Sequence, residues 1–244
     1  LIMNNKSFTY QSITDLSELL KNKIISPVEL TNHFLNKLEN EGSDYNAVAH
    51  INRSSAITQA KEAEASIMKK KYLGRLHGIP FAAKDLLSTN DGSPTSWGAK
   101  PFVENVYNVE STVISNLKNS GAILCAKTSM VEFAGGMGYQ QPDASAFGPG
   151  INPWNKSHWS GGSSSGSGSA VSAGLIPFAI GSETWGSILS PAANCGVTGL
   201  RPSPGCVPKS SSKLPFHSLF VEGPMARNAI DVGLFLDAMA GHEY

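Results

Sequence analysis

Three short stretches carry side chains able to do covalent chemistry: "GIPFAAKD" (78–85), "SGGSSSGSGSA" (160–170) and "GSETWGS" (181–187). The second poses the sharpest question. Its composition fits a flexible linker, because Gly and Ser chains behave as random coil. It also fits a working loop whose hydroxyls and backbone N–H groups handle a substrate. A linker should separate two self-sufficient blocks, yet this run leads straight into an alanine-rich helix and an apolar strand. Few residues remain beyond it for a second core. Serines at the mouth of a helix cap it, and the exposed N–H groups there attract negative charge. The working-loop reading follows.

Its chemistry is narrowed by what the neighbours lack. Gly162–Gly166 satisfies G-x-S-x-G with Ser164 at the centre. A hydrolase elbow, however, follows a buried strand and precedes an acid and then a histidine. Here the preceding residues are the polar "NPWNKSHW", and the only later histidines are His217 and His242. A phosphate loop needs a lysine after its glycines, and none follows. The six histidines are scattered without H-x-x-x-H spacing, and Cys125, Cys195 and Cys206 form no C-x-x-C pair. Buried, reduced thiols are expected, with no metal site. A covalent mechanism that needs neither metal nor cofactor is what these residues leave.

The elements that must position those groups are legible in part. The chain has 244 residues, 41% of them hydrophobic, enough for one large domain or two small ones. Lys plus Arg equals Asp plus Glu at 19 each, so charge offers no argument for nucleic acid or an anionic membrane surface. No apolar run approaches the ~20 residues of a membrane helix. The first dozen residues are neither basic nor followed by an apolar stretch, so a cytoplasmic protein is expected. Residues 12–41 read as two helices. Ser12 or Thr14 caps the first, and Ser26-Pro27 with Glu29 forms a capping box for the second. Leu30, Phe34 and Leu38 then form one apolar stripe. A third helix, rich in Ala, Glu and Lys, runs over 54–71. From residue 76 short strands alternate with helices: 78–84, then helix, Gly121 and strand 122–126, then helix, Gly174 and strand, then a last helix stopping at Gly241. That alternation argues for an α/β sheet with helices on its faces.

Longer matches now join the first three: "SGGSSSGSGSAVSAGL" (160–175), "GSETWGSILSPAANCGVTGLRPS" (181–203), "FGPGINPWN" (147–155) and "GPMARNAIDVGLFLDAMAG" (223–241). Together with "GIPFAAKD" they resemble the amidase signature family, in the same order. The resemblance implies an α/β amidase signature fold, a mixed β-sheet flanked by α-helices on both faces. It implies one domain over 1–244, a helical region (1–75) before a signature core (76–241), matching the N-terminal half of the usual chain. It also implies hydrolysis of a carboxamide through an acyl-enzyme, with Ser187 as nucleophile, Ser163 as a bridging serine in a cis peptide, and Lys84 as base.

The side chains are suited to those roles. A serine hydroxyl is a poor nucleophile until a neighbouring base takes its proton. With no histidine at hand a neutral lysine can serve, provided desolvation brings its pKa from ~10.4 toward ~7, a change of about 4 kcal/mol. "GIPFAA" offers the apolar setting, and Asp85 is expected to face away. Ser163 would relay the proton, since a hydroxyl both donates and accepts. Backbone N–H groups of Thr184, Trp185, Gly186 and Ser187 would hold the oxyanion, at ~3 kcal/mol for each such donor.

This chain departs from the family in carrying Trp185 where glycine is usual and Leu189 where arginine is usual. Trp185 is expected to wall the substrate pocket or pack under the loop, and Gly136 and Met137 of "GGMGY" are expected to line it. The partner expected is a small amide, with no nucleic acid and no membrane. A homo-oligomer or a complementing C-terminal half is left open. The resemblance leaves two alternatives. One is the glutaminase-type component of a tRNA-dependent amidotransferase, its A subunit, which the Trp185 and Leu189 departures disfavour. The other is a catalytically silent fragment.

Overall fold

The structure is a computed structural model that describes residues 8–135, 140–209 and 218–241. Helix α1 (Ile13–Lys21) starts at Ser12, whose side chain accepts from the Asp15 N–H. Helix α2 (Pro27–Glu41) opens on the full Ser26–Glu29 capping box with Pro27 in its first turn. Its Leu30, Phe34 and Leu38 are buried, as the stripe predicted. Helix α3 (Arg53–Met68) is capped by Asn52 and buries Ala56, Ala60, Ala63 and Ile67. Small residues along that face let α3 lie close against α2. Between them sits a strand that the sequence reading did not mark, β1 (Val48–Ile51), four half-buried residues within the region expected to be helical.

The remaining strands are β2 (Pro80–Lys84), β3 (Ile123–Thr128), β4 (Phe178–Glu183), β5 (Thr198–Gly199) and β6 (Val221–Ala226). With β1 they form one mixed sheet in the order β1-β3-β2-β4-β6-β5. The central β3-β2-β4 strands are parallel, and β1, β6 and β5 join antiparallel. Helices α4 (Thr112–Asn119), α5 (Ser165–Ser172), α6 (Leu189–Cys195) and α7 (Ala229–Met239) complete the described set. α4 leads into β3 and α5 into β4, which gives the parallel strands their helical crossovers. Phe81 of β2 stacks on Phe178 of β4, which meets Phe235 of α7 edge to face in the core.

β6 escaped the sequence reading because "VEGPMA" holds a Gly-Pro pair, ordinarily a turn signal. The close approach of a neighbouring chain segment explains the glycine. A Cβ at Gly223 would collide with the Leu200 carbonyl, and the same residue lies against β6 through the Leu200 N–H to Pro224 carbonyl bond at 3.1 Å. The cysteines are free; Cys125 and Cys195 are buried, whereas Cys206 is only partly so. Among the described residues no helix is long and apolar enough to cross a membrane.

Candidate active site

The Gly/Ser run is buried throughout residues 160–171, the end of which forms α5. Its hydroxyls are spent on the sheet and on neighbouring segments. Ser167 Oγ lies 2.7 Å from Thr128 Oγ1 and donates to the Ile180 carbonyl at 3.0 Å. Ser169 donates to the Ile151 carbonyl at 2.8 Å. Ser164, the centre of the G-x-S-x-G match, accepts from the Ser182 N–H at 3.2 Å. Gly166 has no room for a side chain, because a Cβ would fall 2.6 Å from the Ser129 N and Oγ. The run is therefore a packing surface that lays its backbone directly on the sheet. Gly, Ser and Ala, the residues of the run, are small enough for that approach.

Strands β2 and β4 are parallel neighbours, so their C-terminal ends lie side by side, where open α/β sheets hold their ligands. Lys84 ends β2 and is wholly buried. Its Nζ lies 2.6 Å from Ser163 Oγ and 2.8 Å from Ser182 Oγ. Both hydroxyls are buried as well. Burial holds the lysine pKa well below its ordinary value, opposed by the Glu183 carboxylate on the same end of β4. Ser163 follows a cis Gly162–Ser163 peptide. Ser187 is 3% exposed and joins this cluster through its backbone, its carbonyl accepting from the Ser164 N–H at 3.1 Å.

Asp85, the residue after Lys84, turns away as expected. Consecutive side chains on an extended backbone point in opposite directions. Its carboxylate accepts from the Ser96 N–H and hydroxyl and lies 3.3 Å from Lys127 Nζ, all of it buried. The carboxylate next to Lys84 in sequence is thereby engaged elsewhere, and Glu183 is the charge that opposes the effect of burial on the amine.

The loop between β4 and α6 carries Thr184, Trp185, Gly186 and Ser187. Its left-handed turn falls on Gly186, φ 89°, so the residue at 185 need not be glycine. That accounts for a tryptophan there. The Trp185 side chain is 88% exposed, which removes the expectation that it packs under the loop. Leu189 is also exposed, at 47%. The buried Glu183 carboxylate anchors the loop from below, accepting from the N–H groups of Gly186, Ile188 (2.6 Å) and Leu189 (3.1 Å). Gly186 N–H was expected among the oxyanion donors; here it faces a carboxylate instead. Gly136 and Met137 lie outside the described residues.

Sequence reasoning missed Ser182 and Glu183. Their signal was available: two consecutive polar residues ending the apolar, fully buried run "FAIGSE" are costly unless each is bonded.

A mixed α/β sheet whose central parallel strands carry a buried lysine touching the serine-rich helix's entry is the arrangement to be matched. The chain belongs to the amidase family, whose profile matches residues 29–244. Over 96% of its length it is 42% identical to the A subunit of the glutamyl-tRNA(Gln) amidotransferase of Coxiella burnetii, and 40% identical to that of Nitrosococcus oceani. Among solved structures it is similar to the peptide amidase of Stenotrophomonas maltophilia, with 31% identity and a TM-score of 0.85. It is also similar to a bacterial aryl acylamidase of the amidase signature family, at 30% and 0.88. Each structure match covers 96% of this chain and 48% of the other. The chain spans about half the length of the curated relatives it matches, 47% in both bacteria.

Proposed function

We propose that the protein hydrolyses a carboxamide C–N bond, giving a carboxylate and ammonia or an amine, through an acyl-enzyme on Ser187. The observation that carries this reading is a wholly buried lysine amine 2.6 Å from a buried serine hydroxyl, in a chain of the amidase family. Held neutral by burial, Lys84 accepts a proton that Ser163 passes from Ser187, and Ser187 attacks the amide carbonyl. The tetrahedral oxyanion is met by the N–H groups of Thr184, Trp185 and Ser187, while Gly186 serves as the loop's anchor to Glu183. The protonated lysine then returns its proton, through Ser163, to the leaving nitrogen. Water repeats the sequence on the acyl-serine.

Trp185 and Leu189 flank the nucleophile with exposed apolar surface, which favours a substrate with an apolar group beside the scissile bond. Trp185→Ala is expected to lower kcat/KM for arylacyl amides about tenfold, the equivalent of ~1.4 kcal/mol of aromatic contact. Short aliphatic amides should be little affected. A panel of amides assayed with both proteins checks this, and equal losses across the panel would remove Trp185 from the pocket.

A second reading is favoured by one observation, the 42% identity to a component of a glutamyl-tRNA(Gln) amidotransferase. In that case the ammonia released would be consumed by a partner rather than lost to solvent. Ammonia release from simple amides without tRNA or ATP supports the hydrolase. Release that appears only with partner chains and aminoacylated tRNA supports the amidotransferase component.

A further inference from the structure

Glu183 holds the nucleophile loop from below; a second tether reaches it from the side. Arg201 lies just beyond β5, followed by Pro202. Its Nη1 donates to the Thr184 carbonyl at 2.7 Å, and its Nη2 donates to the Leu219 carbonyl at 3.3 Å. Nη1 also lies 3.8 Å from Glu183 Oε1. One rigid guanidinium thus joins the loop that carries Ser187 to the segment entering β6, beside the carboxylate that grips Gly186.

The consequence follows from peptide geometry. In a planar trans peptide the C=O and the following N–H point in opposite directions. Fixing the Thr184 carbonyl on Arg201 therefore fixes the Trp185 N–H, which must point away from the arginine. The same cation offsets the Glu183 carboxylate, whose negative charge would otherwise oppose an oxyanion forming on the loop. Arginine suits both tasks, since its planar fork donates to two carbonyls at once, whereas lysine is a single flexible point charge.

We infer that Arg201 is a positioning residue for the amide hydrolysis proposed above: by pinning the Thr184 carbonyl and standing beside Glu183, it sets the Trp185 N–H as an oxyanion donor. The inference rests on that reading of the site. Arg201 does not touch the reacting atoms; it acts through the Thr184–Trp185 peptide.

The test is steady-state amide hydrolysis by the whole chain and its variants. Arg201→Ala is expected to lower kcat about a hundredfold, the loss typical of one mis-set oxyanion donor, with KM changed less than about threefold. The arginine side chain is 33% exposed, so added ethylguanidinium can enter its place. It should restore much of the lost kcat, and ethylammonium should not. An unchanged kcat, or a loss that ethylguanidinium leaves untouched, would overturn the inference. If Arg201→Ala does not fold, Arg201→Lys decides: a loss of about tenfold supports the role, and full kcat overturns it. A wild-type chain without any hydrolysis would sink the underlying functional reading instead, which separates the two failures.

Discussion

Lys84→Met is expected to lower amide hydrolysis near neutral pH by about a thousandfold, within the 10²–10⁴ range of a lost general base. Position and charge both require it. The amine is wholly buried at the end of β2, touches two hydroxyls, and has Asp85 turned from it toward Ser96 and Lys127. Only the neutral amine can accept a proton. The wild-type rate should therefore rise with pH through an apparent pKa below the ordinary ~10.4 of lysine. The same group leaves a mark on stability. Between its lowered folded pKa and the unfolded value of ~10.4, the unfolded chain binds more protons than the folded one, so stability increases with pH across that window. Melting temperatures of wild type and Lys84→Met, measured from neutral to alkaline pH, should rise more steeply in the wild type, the buried Lys127 contributing alike to both. Parallel curves would mean that Lys84 keeps its proton in the fold, and the base assignment would fall with it.

Ser163→Ala carries the second large effect, a loss of about 10²–10⁴ in kcat with KM nearly unchanged. This hydroxyl is the nearer of the lysine's two partners, at 2.6 Å against 2.8 Å for Ser182, and it belongs to the segment whose next N–H holds the Ser187 carbonyl. Removing it leaves the amine bonded to Ser182 but takes out the group proposed to link base to nucleophile. Ser182→Ala removes only a bond that orients the lysine, and its cost should be about tenfold or less. Kinetics of the two variants side by side decide the matter. If Ser182→Ala proves the more damaging, the relay runs through Ser182.

How far the chain could be read in advance depended on whether each feature was local. The α2 terminus was legible because Ser26, Pro27 and Glu29 satisfy one another within four residues. The three parallel strands were legible because each is a fully buried apolar run, so no alternation is needed to recognise them. β1, β5 and β6 were not, being respectively half-buried, two residues long, and built around Gly223-Pro224. What defines β6 is its antiparallel pairing along the whole of β4, with the Leu200 backbone close against Gly223, and no local pattern reports either. At the candidate site, Lys84, Ser163 and Ser187 came from long family-like motifs, and Asp85 from the requirement that no carboxylate face a neutral lysine. Glu183 and Arg201 were missed because their importance is tertiary. A glutamate beside a tryptophan reads as a surface acid until its carboxylate is seen under three backbone N–H groups. The arginine reads as a turn residue until it is seen holding the Thr184 and Leu219 carbonyls together.

The Gly/Ser run shows where composition stops being a guide. Random-coil statistics apply to such a sequence only when nothing packs against it. Here every position from 160 to 170 is buried, and its hydroxyls are bonded to Thr128, Ile151 and Ile180 on neighbouring segments. Small side chains permit that proximity, with the result that the α5 entry can lie within reach of the β2 and β4 termini.

If a neutral lysine, through a neighbouring hydroxyl, makes one particular serine nucleophilic, that serine should be singled out by an electrophile. Intact-mass and peptide mapping after treatment with a fluorophosphonate test this most directly. One covalent adduct on Ser187 is expected in the folded wild type, none in Ser187→Ala, and slow labelling in Lys84→Met. An adduct on a different serine, or labelling of Lys84→Met at the wild-type rate, would contradict it.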